Sequence, residues 1–286
     1  MLDHILVAGL LLALPLRLLM ATGVKGDQLP KYFSHEAKLV LYYGNGLLLW
    51  LLAGSVAFSW WWFDRSWAEL GFQWGVLPYS GAAQSILLLF GALYLLDLFL
   101  EVEKDLHSRR SKRLPEVLFR DEGRGREIGI EPAPEDNYRL TTFNDPTAGL
   151  GEGSGTATGK SNPELPAFLP ATSKEYIHFS LLSLTAGITE EIVYRGYCIC
   201  YLAWLIGSDE WWQLSLVLLI PALSFGAGHF YQGWRAVLKI VFMAVLFGAF
   251  YWYTKSLLVL MIVHTTIDLL GGMLGWTQLR AERSRG

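Results

Sequence analysis

Ionisable side chains recur inside the apolar stretches of the last hundred residues, where each is expensive to hold and so invites a chemical reason. They form three groups: Thr189-Glu190-Glu191-Ile192-Val193-Tyr194-Arg195, Phe225-Gly226-Ala227-Gly228-His229 and His264-Thr265-Thr266-Ile267-Asp268. On a helix, Glu191 and Arg195 share a face at a spacing of four, which allows a bidentate carboxylate–guanidinium pair that keeps both charges in low dielectric. Glu190 is turned about 100° from Glu191 and is free to face a cavity instead. Glu190, His229 and His264, on three different segments, are residue types for general acid–base chemistry. Asp268 follows His264 by one turn, where it can hold the imidazole's tautomer or join it at a site. Gly226 and Gly228 flank the approach to His229 and allow a neighbouring helix to come close. A lone Glu–Arg pair is also structural glue elsewhere, and a lone histidine a satisfied core residue. Three separate segments each carrying such groups argue for one shared polar site.

The elements that must position these groups are membrane spans. The chain has 286 residues, 52% of them hydrophobic, with a mean hydropathy of +0.32. The excess is gathered into nearly charge-free stretches of roughly 18 residues or more, the length that crosses a hydrocarbon core. Seven spans can be laid down, at 3–22, 38–62, 81–101, 182–205, 210–230, 236–253 and 256–277. The expected fold is an all-α, polytopic membrane helix bundle of about seven to eight transmembrane helices. Trp60-Trp61-Trp62 and Trp211-Trp212 fall at span ends, at the headgroup level that amphipathic rings favour. Glu175 to Leu181 reads as an interfacial helix or as the start of a long, tilted fourth span. Ile5 to Leu14 has the length of a signal-peptide core, but Arg17 follows it and no base precedes it, so 3–22 reads as a retained span.

Residues 102–174 form a polar stretch that opens with Lys104, Arg109, Arg110, Lys112 and Arg113 and becomes Gly/Thr/Ser/Pro-rich from Asp145 to Pro170. It reads as a linker between a three-span region, 1–101, and a membrane core, 175–277, followed by a tail, 278–286. Basic residues near span ends set the orientation. With 102–174 on the cytoplasmic side, Lys25, Lys31, Arg235, Arg280, Arg283 and Arg285 fall inside with it, while only Arg65 and Lys255 fall outside. Lys38, Arg17 and Lys239 then lie near the inner face, where long side chains can snorkel. The N-terminus is expected outside and the C-terminus inside.

A net charge of −3 gives no case for nucleic acid. Ser154 to Ser161 nearly matches a phosphate-binding loop but has Ser154 where glycine is required and no apolar strand before it. Cys198 and Cys200 point about 200° apart on a helix and cannot form a disulfide or a two-thiolate metal clip.

The three groups, in order on successive spans, resemble the three motifs of the CPBP family of intramembrane proteases, which includes the CAAX prenyl endopeptidases (type II, Rce1-like) and the Abi proteins. The resemblance covers residues 175–277 and rests on Glu-Glu-x-x-x-Arg at 190–195, Phe-x-x-x-His at 225–229 and His-x-x-x-Asp at 264–268. It implies a glutamic-type endopeptidase without a cofactor, in which Glu190 and His229 activate the attacking water and His264 and Asp268 occupy oxyanion-stabilising positions. Glu191, Arg195 and Phe225 would support them. Asp268 stands where the family has Asn, and an ionised carboxylate repels an oxyanion; either it is protonated, or it orients His264. The implied substrate is a membrane-associated protein or peptide, lipidated in one branch of the family. Two other readings stand beside this one. The N and O donors suit zinc, although no His-Glu-x-x-His helix is present, and a non-enzymatic immunity or scaffold protein could keep the same groups for packing. A transporter is expected to show repeated halves, and none is evident.

Overall fold

The computed structural model describes residues 2–22, 33–73, 79–120 and 168–283. Among them the chain is helical and has no strand. The elements are α1 (Leu2–Ala8), the π-helix π1 (Gly9–Ala13), α2 (Leu14–Thr22), α3 (His35–Trp62), α4 (Trp67–Leu70), α5 (Gly81–Arg120), α6 (Ser173–Glu190), the π-helix π2 (Glu191–Cys198), α7 (Ile199–Ile206), α8 (Trp211–Gly228), α9 (Trp234–Thr254) and α10 (Leu257–Arg283). A 3-10 turn, Phe230–Gln232, joins α8 to α9. Five helical stretches are long and apolar enough to cross a membrane: His35–Trp62, Gly81–Leu100, Trp211–Gly228, Trp234–Thr254 and Leu257–Arg280. Large apolar side chains along them, such as Leu47, Leu51, Leu88, Leu219 and Ile262, are exposed, the pattern of a surface solvated by lipid. The protein is an all-α integral membrane bundle.

The first and fourth expected spans are the two that π-helices interrupt, at π1 and π2. The chain divides into two compact units, 1–93 with 164–286, and Tyr94–Pro163. The described part of the second unit is the latter part of α5, which stays helical to Arg120 where the sequence suggested a linker from residue 102. The 154–161 stretch and the rest of that linker lie outside the described residues.

In the first unit α6 packs between α3 and α10, and α8 packs on α9. Two close approaches fix the register of the site helices. A Cβ at Gly187 would lie 2.2 Å from Thr265 Oγ1 and 2.8 Å from its backbone N, so α6 and α10 touch backbone to backbone one turn before Glu191 and one residue after His264. A Cβ at Gly226 would lie 2.3 Å from Val241, which brings α9 against the turn before His229. The small-residue expectation at Gly226 therefore describes a real helix contact.

The first helical stretch is bonded to both site elements. Asp3 accepts from the hydroxyls of Ser59 (2.6 Å) and Tyr197 (2.7 Å) and pairs with Arg65, which ties α1 to the end of α3 and to π2. The Leu10 carbonyl, in π1, accepts from Ser224 Oγ at 3.2 Å, beside Phe225.

At the other end of α3, Lys38 does not snorkel. It is buried, 4% exposed, and donates to Glu175 Oε2 (2.9 Å) and the Leu169 carbonyl (2.8 Å). The reason is local: Glu175 and an unpaired carbonyl sit within reach, so the ammonium finds partners inside the protein and not at the headgroups. Glu175 lies in the first turn of α6, which begins at Ser173 with Thr172 as its N-cap. The fourth span is thus one long stretch without a separate interfacial helix.

Candidate active site

Glu191 begins π2, and the π register alters what an α-helix would place where. Such wider turns recur at functional sites. Arg195 Nη1 donates to Glu191 Oε1 at 3.0 Å, so the expected pair forms. It is a one-point contact and not the bidentate fork, because Glu191 Oε2 has no hydrogen-bond partner among the described residues. Oε1 is shared: His264 Nδ1 lies 2.7 Å from the same atom. The side chains of Glu191 and Arg195 are 0% and 4% exposed, a fully buried wall.

The Arg195 guanidinium lies over two rings, Phe225 at 4.6 Å and Phe247 at 5.3 Å. Both rings also meet the His264 imidazole edge-on, at 6.2 and 6.1 Å between centroids. The charge is thus held by one carboxylate and two π faces, and those faces also box in the imidazole. Phe225 was expected to support the site. Phe247 was not, since a phenylalanine inside an apolar span carries no sequence signal of its own.

His264 Nδ1 gives its hydrogen to Glu191, because a carboxylate in an ion pair only accepts. Its other nitrogen, Nε2, faces Glu190 Oε2 at 3.6 Å and Asp268 Oδ2 at 3.8 Å. The residue that holds the tautomer is therefore Glu191 and not Asp268. Asp268 shares the helix face as its spacing required, but 3.8 Å is beyond hydrogen-bond range, and its side chain is the most open of the group at 32% exposed. Glu190 and His264, at 13% and 12%, line the boundary between the buried wall and that opening.

His229 is the C-cap residue of α8. Its Nδ1 is 2.8 Å from the Phe225 carbonyl, and its ring packs on that of Phe225 at 4.6 Å. It interacts electrostatically with Asp268 and His264. The structure therefore gathers Glu190, Glu191, Arg195, His264 and Asp268 directly, and brings His229 to them across Phe225. Tyr231, two residues further on, stacks on His229 at 6.1 Å and interacts electrostatically with Glu190 and Asp268. Sequence reading overlooked it, although an aromatic residue just beyond a candidate histidine was a usable signal. Among the described residues no group of three or more His, Cys, Asp or Glu is arranged to hold a metal ion. Cys198 and Cys200 are free thiols.

Residues 172–270 match the family model described as type II CAAX prenyl endopeptidase Rce1-like. No curated protein and no solved structure matches the chain. The matched stretch begins at the N-cap of α6, ends in α10 and contains every residue of the cluster above. The membrane core that carries Glu190, His229 and His264 thus belongs to the Rce1-like family of type II CAAX prenyl endopeptidases, membrane proteases.

Proposed function

We propose that this core is a glutamic-type intramembrane endopeptidase that hydrolyses a peptide bond of a lipidated, membrane-associated polypeptide, with Glu190 activating the water. The observation that carries the reading is the commitment of His229. A backbone carbonyl only accepts, so Nδ1–H is bound to Phe225, and the neutral ring keeps the lone pair of Nε2 for a water hydrogen. Glu190 takes the proton from that water as its oxygen adds to the scissile carbonyl carbon. The tetrahedral oxyanion is met by His264, protonated on both nitrogens with Glu191, Glu190 and Asp268 around it. On collapse the C–N bond breaks, and Glu190 returns its proton to the leaving amine. Asp268, ionised beside Nε2, supports the charge on His264 and does not itself bind the oxyanion. Arg195 keeps Glu191 ionised and in place.

The test is cleavage of a farnesylated CaaX peptide by protein in detergent or liposomes. Glu190→Gln and His229→Ala are each expected to abolish cleavage with thermal unfolding unchanged, and chelators to leave the wild type active. Full activity in Glu190→Gln would sink the mechanism. Activity lost to chelation and recovered with zinc would make the protein a metalloprotease.

A further inference from the structure

We propose that Tyr231, braced by Phe168, is a positioning residue for His229: its ring covers the imidazole and sets the direction of Nε2. The proposal rests on the reading of His229 as the residue that holds the water.

Three constraints converge on this imidazole. Its Nδ1–H is bound to the Phe225 carbonyl, one face of the ring packs against the Phe225 ring, and Tyr231 stacks on it with only 29° between the planes. The hydrogen bond alone leaves the ring free to swing about the Nδ1···O axis, and the two flanking aromatic rings remove that freedom. Tyr231 needs its own support, because it sits on the short 3-10 turn and is 55% exposed. Phe168 supplies it, edge-on at 5.5 Å.

The segment that carries Phe168 is built to stay in place. Its carbonyl accepts from Tyr42 Oη at 2.5 Å, and the next carbonyl, of Leu169, accepts from buried Lys38. Ala171 N–H donates to Glu175 Oε2 at 2.8 Å, and the Leu169 side chain fills the space where a Cβ on Gly275 of α10 would stand. Five residues ahead of α6 are thus pinned to α3, α6 and α10 and hold an aromatic ring against the turn after His229. The Tyr231 hydroxyl accepts from its neighbour Gln232 at 3.0 Å, so the ring and not the hydroxyl is the working part.

Two readouts test this. The first does not depend on turnover: diethyl pyrocarbonate labels unprotonated imidazole nitrogen, and site-resolved mass spectrometry reports His229 against His264 as an internal control. Labelling of His229 should rise several-fold in Tyr231→Ala and in Phe168→Ala, and stay at the wild-type rate in Tyr231→Phe. The second is turnover of the farnesylated peptide. A ring released from its plane should lower kcat about 10- to 100-fold with KM little changed, and Tyr231→Phe should restore it. Unchanged His229 labelling in Tyr231→Ala overturns the proposal, and so does an undiminished kcat in that variant. A wild-type protein that fails to cut the peptide while its His229 labelling still responds to Tyr231→Ala would count against the proposed protease and leave the positioning of His229 standing.

Discussion

One oxygen, Oε1 of Glu191, receives both Arg195 Nη1 at 3.0 Å and His264 Nδ1 at 2.7 Å. The family's paired glutamates thus divide the work. Glu191 is wholly buried and joins the guanidinium to the imidazole, while Glu190 stands on the open side of the same imidazole.

That sharing makes Glu191 the more sensitive member of its ion pair. Glu191→Ala and Arg195→Ala should each cost about 3–5 kcal/mol by leaving a buried charge without its partner, with Glu191→Ala the worse because it strips both Arg195 and His264. The double variant should lose less than the sum of the two. Thermal unfolding of the four proteins in one detergent measures this, and strictly additive losses would mean that the pair does not act as a unit.

The helix crossing at Gly187 makes a second prediction. A methyl group there would press on the backbone of Thr265, and overpacking of this kind costs about 1–3 kcal/mol. Gly187→Ala should lower the unfolding temperature and reduce cleavage, since it drives Glu190 and Glu191 away from His264. Gly54→Ala, where a Cβ meets nothing within 4 Å, is the control and should unfold no earlier than wild type. Equal behaviour of the two variants would show that the crossing does not set the site.

Much of this was legible beforehand, for identifiable reasons. Spans are written in long apolar runs, and the three polar groups stand out because hydrocarbon tolerates few ionisable side chains. What escaped depended on register or on partners distant in sequence. The π turn from Glu191 to Cys198 has no residue signature, so α-helical arithmetic gave the Glu191–Arg195 contact correctly but could not show Glu191 reaching His264. A spacing of four put Asp268 on the right face and could not tell 3.8 Å from a hydrogen bond. Lys38 looked like an interfacial lysine because Glu175, 137 residues away, was invisible as its partner.

Orientation remains a matter for experiment, and the basic residues make a definite prediction. In a background of Cys198→Ala and Cys200→Ser, a cysteine at Leu150 should be labelled by an impermeant maleimide only after the cytoplasmic face is opened. One at Ser208 should be labelled from outside in intact cells. Labelling of position 150 in intact cells would invert the topology and move the site's opening to the other face.

The clamp around Glu175 predicts how stability responds to acid. Burial raises the Glu175 carboxyl, but the Ala171 N–H, Lys38 and His35 together outweigh it and hold the group below its ordinary value of 4.5. A carboxylate whose folded value is depressed contributes stability that is fully present above the unfolded value. That contribution is lost as pH falls from 4.5 through the lower folded value. The unfolding temperature should therefore drop below pH 4.5 more steeply in the wild type than in Glu175→Gln, which has no proton to take up there. Glu175→Gln should in turn be less stable than wild type at neutral pH, because it leaves the buried Lys38 ammonium without its counter-charge. A Lys38→Met, Glu175→Gln double variant removes both charges and should recover part of that loss. If the acid limbs of wild type and Glu175→Gln superimpose, the carboxylate is not what fastens Leu169 and Ala171 to α3, and the hold on Phe168 would have to come from Tyr42 alone.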